Sequence, residues 1–281
     1  MSITISVIMS IKDGEKFIAR SFSGIFSQTH LPSEIVVVDD GSTDGTLKEL
    51  ELIKLISNVP IKILVTQGLG RAKALNLAAK SASSMFIANL DVDDFWSSEK
   101  LLAQYRVLSR IERPEMSILV TGSELLYESG SNGKREEVKG KSFEPIGNEV
   151  MLSKGDFYLS NPVNHSSIIY SKYLFEKVGG YTESLAKQID IDMWVKFLLT
   201  GGDFYMIPAP LTVKCLHSEQ SFESSSDRIS YSWSAFIMTN RNLCKLDSPF
   251  YYHVLSAFKL VYNLMPGFLK VLIRRARVKN A

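Results

Sequence analysis

Two sets of carboxylates sit where a strand runs out. Asp39 and Asp40 close the apolar run in EIVVVDDGSTDGT, Glu34 to Thr46, and Asp91, Asp93 and Asp94 form the cluster DVDD directly after Met85 to Leu90. Carboxylates this close repel one another unless a cation joins them, and hard oxygen ligands suit Mg²⁺ or Mn²⁺, which in turn bind phosphate oxygens. The guest that fits such a cluster is a metal-bridged diphosphate. The glycine and distal bidentate glutamate of an EF-hand loop are absent at the required spacing. A further acid, Asp190, opens a helical pattern carrying Met193, Trp194, Phe197 and Leu198. Acidic residues also favour helix N-termini for local electrostatic reasons, so none of these groups decides the chemistry alone.

The elements that would position these acids alternate in the first half of the chain. Ile3 to Met9, Ile35 to Val38, Ile61 to Val65 and Met85 to Leu90 read as strands. Glu15 to Gln28, Gly45 to about Ser57, and Arg71 to Ser81 read as helices, with Ser42 or Thr43 available to cap the second. Such a rhythm predicts a mostly parallel, Rossmann-like sheet with right-handed crossovers. Asp39, Asp40 and the DVDD cluster then share the carboxyl edge, where open parallel sheets bind ligands.

After about Arg113 the rhythm changes. Ser117 to Tyr127 and His165 to Tyr170 read as strands, and Lys172 to Val178 and Asp190 to Leu199 as helices. Glu128 to Gly147 is expected to form a loop or hairpin turn, and Leu216 to Arg228 a mobile loop. A helical tail follows from about Ile229. The expected division is 1–225 as one α/β domain, with a nucleotide-binding half at 1–113 and an acceptor-binding half at 114–225, and 226–281 as a helical extension.

Composition narrows the class without choosing a function. The 281 residues carry a formal charge of +2, too little to imply a nucleic-acid partner. Cys215 and Cys244 are isolated, which points to a reducing compartment. No secretion signal is visible in MSITISVIMS, and Lys259, Asn263 and Lys270 interrupt the apolar C-terminal stretch below the length of a membrane span. A cytoplasmic protein is expected.

In order along the chain, ISVIMSIKDGEKFIARSFSGIFSQT, VVVDDGSTDGT, GLGRAKALN, DVDD, VGGYTESL and DIDMW resemble the family 2 glycosyltransferases of GT-A fold, over roughly Ile3 to Glu223. The resemblance implies metal-dependent inverting transfer of a sugar from a nucleotide-diphospho-sugar, a UDP-sugar first among candidates, to a hydroxyl of a glycan or lipid-linked glycan. It implies that Asp40 accepts the imino N–H of the base, with Asp39 and the backbone near Ser10 completing the pocket. Arg71 or Lys73 would face the nucleotide. Asp91 and Asp93 match an Asp-x-Asp motif for ribose and divalent ion, and Asp94 is a further candidate ligand. Asp190 matches the acid that serves as general base. His217 lies in a loop similar to one that contacts the diphosphate or metal, so the candidate metal set is Asp93, Asp94 and His217 with Mn²⁺ or Mg²⁺.

Some positions depart from that pattern or stand open. Ile189 occupies the place of a glutamate that usually precedes the base, which puts a supporting hydrogen bond in doubt, and Lys12 replaces a residue that often packs on the nucleotide base. His165 fits either an acceptor cleft or a hydrogen-bonded strand start. Trp96 could wall a sugar ring, while Trp194 falls on an apolar helical face. Lys259, Lys270, Arg274, Arg275, Arg277 and Lys279, with no acid among them, could lay a basic amphipathic helix on the inner face of a membrane, pack on the protein itself, or serve a homo-oligomer interface. The rival functions are a sugar nucleotidyltransferase, which would ordinarily show a glycine-rich phosphate loop after the first strand, and a non-catalytic nucleotide-sugar or glycan-binding protein.

Overall fold

The computed structural model describes residues 3–127, 149–216 and 228–265. Within them β1 (Ile5–Ile11), α1 (Glu15–Phe26), β2 (Glu34–Asp39), α2 (Thr46–Ile56), β3 (Ile61–Val65), α3 (Arg71–Ser81) and β4 (Phe86–Asn89) follow the expected alternation. Strands β3, β2, β1 and β4 lie side by side and parallel. Successive residues of β1 and β2 face opposite sides, so Ile8, Val36 and Val38 join one buried cluster and Val7, Met9, Ile35 and Val37 the other. Both faces are covered, which is why Ile35 to Val38 of β2 reads as a continuous apolar run.

The sheet continues through β5 (Phe95–Trp96), β6 (Ser117–Tyr127), β7 (Val150–Leu152), β8 (Ile169–Ser171) and β9 (Asp203–Leu216), with α4 (Lys100–Leu108), α5 (Lys172–Lys177) and α6 (Ile189–Leu199) packed on it. Among the described residues it has nine strands in the order β3-β2-β1-β4-β8-β6-β9-β5, with β7 beside β9. From β4 onward the pairing is mixed: β8 is antiparallel to β4 and β6, and β6 is parallel to β9. The result is a mixed sheet whose continuous parallel part is β3, β2, β1 and β4.

Several expectations need correction. No element was expected over β9, because Pro208 and Pro210 interrupt its pattern; they sit where the β6–β9 register slips between Thr121 and Ser123. Gly122 is required there, since a Cβ would lie 2.5 Å from the Pro208 carbonyl oxygen. His165 to Ser167 form a 3₁₀ turn and the strand begins only at Ile169. Helix α2 has Gly45 at its N-cap, and Asp44 rather than Ser42 or Thr43 accepts from the Thr46 amide, at 3.0 Å. The expected loops at 128–147 and 216–228 fall almost wholly outside the described residues.

Two C-terminal helices, α7 (Arg228–Lys245) and α8 (Tyr251–Leu264), pack on each other, and α7 also packs on α6. Asp192 is fully buried at this junction, with Lys196 and Lys245 ammonium groups each 3.6 Å from its carboxylate and the Thr182 hydroxyl donating at 2.6 Å. The basic residues beyond Lys259 lie outside the described residues. Among the described residues no helix is long and apolar enough to cross a membrane.

Candidate active site

The carboxyl ends of β1, β2 and β4 open into a cleft of about 1090 Å³ whose lining includes Ser10, Asp40, Arg71, Asp91, Asp93 and Asp190. The acids separated in sequence therefore meet around one space. Each reaches it by a different local device.

Asp40 follows β2 and is buried. Its Oδ1 accepts from Thr66 Oγ1 at 2.7 Å and the Leu69 amide at 2.6 Å, and its Oδ2 from the Gly70 amide at 2.8 Å. Burial alone would raise its pKa, but these donors hold the carboxyl below its usual range. Asp40 thus fastens the glycine loop before α3, where Gly68 and Gly70 adopt φ of 80° and 91°. Asp39 is also buried and its Oδ1 accepts from the Ser42 amide at 3.0 Å, closing the turn that follows.

Arg71 and Lys73 were alternatives for the basic residue, and α3 separates them. Residues two apart on a helix point to different sides; Arg71 lines the cleft and Lys73 is exposed. Arg71 Nη2 donates to both oxygens of Asp91, at 2.7 and 2.8 Å. Burial would raise the Asp91 pKa, yet Arg71 and then His165 hold it well below the carboxylate range.

Behind Asp91 runs a buried chain of polar side chains that the sequence did not announce. Tyr170 donates to Asn89 Oδ1 at 3.2 Å, Asn89 Nδ2 donates to the Tyr181 oxygen at 2.7 Å, and Tyr181 OH lies 3.0 Å from His165 Nε2. His165 Nδ1 stands 3.0 Å from Asp91 Oδ1, so the tautomer carrying its proton on Nδ1 completes an unbroken donor-to-acceptor line. His165 therefore supports Asp91 while also lining the cleft.

The other two acids of DVDD differ in burial. Asp93 lines the cleft, and its backbone carbonyl accepts from Arg20 at 3.0 Å. Asp94 also lines the cleft but is buried, accepting from Ser166 Oγ at 2.5 Å and the Cys215 amide at 3.0 Å. Burial, then the charges of Asp91 and Asp93, push its pKa up to about 8. That crowding of negative charge is what a divalent ion relieves, and the oxygen donors suit Mg²⁺ or Mn²⁺. The residue types fit such an ion, and Asp93 and Asp94 both line the cleft, but among the described residues no three His, Cys, Asp or Glu side chains are arranged to hold a metal ion. His217 lies outside the described residues.

Asp190 stands at the start of α6, just after Gln188, whose φ is 59°. Its Oδ2 accepts from Asn161 Nδ2 at 2.7 Å. Ile189, by contrast, is 5% exposed and packs in the core. The supporting hydrogen bond in doubt from the sequence thus comes from Asn161, in the segment NPVNH, which sequence reading missed. Trp194 is core, as its helical face suggested. Trp96 is buried as well, donating to the Ser166 carbonyl at 2.7 Å, so it does not wall a sugar site.

A second cavity of about 450 Å³ adjoins the cleft, and Arg71, Asn161, Asp190 and Tyr231 line both. Helices α7 and α8 form its far side.

Known proteins place this geometry. An uncharacterized glycosyltransferase of Rickettsia felis is 27% identical over 265 residues, covering 92% of this chain and 43% of its own. The Escherichia coli enzyme WfgD, named UDP-Glc:alpha-D-GlcNAc-diphosphoundecaprenol beta-1,3-glucosyltransferase, is 36% identical over 135 residues, 46% of this chain and 49% of its own. The chain thus spans less than half the length of either relative in the matched region. The Staphylococcus aureus TarS 1-349 structure with UDP-GlcNAc superposes with a TM-score of 0.65 at 19% identity, over 93% of this chain and 72% of that one, which establishes the shared GT-A fold. The profile of Glycosyl transferase family 2 matches residues 6–179, and the chain belongs to that family.

Proposed function

We propose that this protein is a metal-dependent inverting glycosyltransferase that moves a sugar from a UDP-sugar to a hydroxyl of a glycan or lipid-linked glycan. The observation that carries the reading is the convergence of Asp40, Asp91, Asp93 and Asp190 on one cleft. Names of relatives that act on or bind UDP-sugars support the donor class.

On this reading Asp40 and its loop bind the base, Oδ2 carrying one hydrogen bond and so retaining a lone pair for the imino N–H. Asp91, clamped by Arg71 and His165, positions the ribose. Asp93, with Asp94 behind it, would hold Mn²⁺ or Mg²⁺, which when bound supplies Lewis-acid stabilisation of the departing diphosphate. Asp190 takes the proton of the acceptor hydroxyl as that oxygen attacks the anomeric carbon on the face opposite the diphosphate. The acceptor C–O bond forms as the sugar–phosphate bond breaks. Asn161 keeps the carboxylate aimed.

Asp190→Asn tests this. Transfer should fall by roughly 100- to 10,000-fold, with calorimetric binding of the nucleoside diphosphate unchanged. Undiminished turnover removes Asp190 from the role. A thermal-shift screen of nucleoside diphosphates with and without Mn²⁺ identifies the base through ligand-linked stabilisation. Nucleotide binding without transfer or donor hydrolysis would favour a binding protein instead.

A further inference from the structure

The cavity beside Asp190 has a chemistry of its own. Its lining carries three cations, Arg71, Lys187 and Lys259, against one carboxylate, Asp190. Lys187 and Lys259 are at the periphery of the donor reading: neither lines the nucleotide cleft. Lys259 extends from α8 to the Leu159 carbonyl, and the Lys187 ammonium lies 5.9 Å from the ring of Tyr231 on α7. On the same wall Asn242 is 2% exposed, yet its Oδ1 has no hydrogen-bond partner among the described residues. A buried acceptor without a donor is costly, so a ligand bearing a hydroxyl or N–H is the natural remedy. Phe157 supplies an apolar surface beside these groups.

We infer that this cavity is the acceptor site and that it selects an acceptor carrying an anionic group next to the sugar that is glycosylated, with Lys187 and Lys259 reading the anion and Asn242 a hydroxyl. The inference rests on the transferase reading, since only that reading gives Asp190 a hydroxyl to deprotonate. It goes further in assigning acceptor choice to α7 and α8, both beyond the family match at 6–179. The anion could be the phosphate of a lipid-linked sugar or the carboxylate of a uronate in a growing glycan; the shared chemistry is negative charge.

The test uses the full chain saturated with UDP and Mn²⁺. Glucose, N-acetylglucosamine, galactose and mannose are each titrated as the neutral sugar and as the 1-phosphate, and then as the short-chain lipid diphosphate and as the corresponding uronate. At least one 1-phosphate or uronate should bind roughly 10-fold more tightly than its neutral partner. Lys187→Met and Lys259→Met should each remove about 5-fold or more of that preference, leaving UDP affinity unaltered. Asn242→Leu should weaken the neutral and anionic members alike. The lipid diphosphate and uronate arms identify the source of the charge. Equal binding of neutral and anionic members, a preference that survives both lysine variants, or failure of every anionic member to bind while UDP does, overturns the inference. Failure of UDP and GDP themselves to bind would instead overturn the transferase reading.

Discussion

Asn161 hydrogen-bonds Asp190 across the mouth of the cleft, Nδ2 to Oδ2 at 2.7 Å, and so takes over the support that Ile189 cannot give. The amide can donate to a carboxylate and stays neutral, so it fixes the carboxylate's orientation without adding a second charge. Asn161→Ala should lower kcat by roughly 10-fold with little change in donor KM, because aim is lost while the carboxylate remains. Steady-state kinetics at saturating acceptor check this; an unchanged kcat would mean that Asp190 is held by its helix alone.

Asp192 governs how the C-terminal helices sit. It is fully buried between Lys196 and Lys245, which are themselves 24% and 29% exposed. Asp192→Asn should cost on the order of 3 kcal/mol, since the partly buried ammonium groups lose their counter-charge. Urea unfolding of Asp192→Asn, Lys245→Met and the double variant forms the check. A coupling energy near zero would show that the two side chains do not act together.

Lys100 provides a pH-dependent prediction remote from the cleft. Its ammonium is fully buried, donating to Gln104 Oε1 at 2.9 Å and lying 4.0 Å from the centre of the Trp96 ring. Burial pushes its pKa well below the ordinary lysine value. The unfolded chain therefore holds this proton to higher pH than the folded chain does. Stability contributed through Lys100 must rise as pH climbs from the folded pKa toward about 10.5. Lys100→Met should flatten that rise, as read from denaturant midpoints between about pH 7 and 10. A slope identical to that of the parent would mean Lys100 titrates normally.

Asp93 and Asp94 should separate in their dependence on metal. Both line the cleft, but Asp94 is buried with its two oxygens accepting from Ser166 and the Cys215 amide. Asp93→Asn should reduce the Mn²⁺-dependent part of UDP binding by roughly 10-fold or more, while EDTA should have little further effect on that variant. Calorimetry with and without Mn²⁺ reads both quantities. Equal Mn²⁺ enhancement in the parent and in Asp93→Asn would place the ion elsewhere.

Much of this architecture is legible in the residues because burial writes itself into periodicity. The apolar runs of β2 and β4 announce buried strands, and their ends announce where Asp40 and Asp91 must go. Helix α6 likewise shows its buried face in Met193, Trp194 and Phe197. What escapes is set by contacts distant in sequence. A string of acids does not reveal that Asp94 is buried and hydrogen-bonded, because its donors, Ser166 and Cys215, belong to other elements. Asn161 carries no local signature of its partner 29 residues away. Strand β9 hides because its two prolines fall at a register slip, the position in a sheet where a missing N–H is tolerated.

Arg71 lines both the donor cleft and the neighbouring cavity. A side chain common to two compartments is where coupling between them would arise, and whatever factor one occupant applies to the affinity of the other is returned in full. On the proposed assignment of the two spaces to donor and acceptor, a dissociation constant for either substrate is to be measured with the occupancy of the other stated.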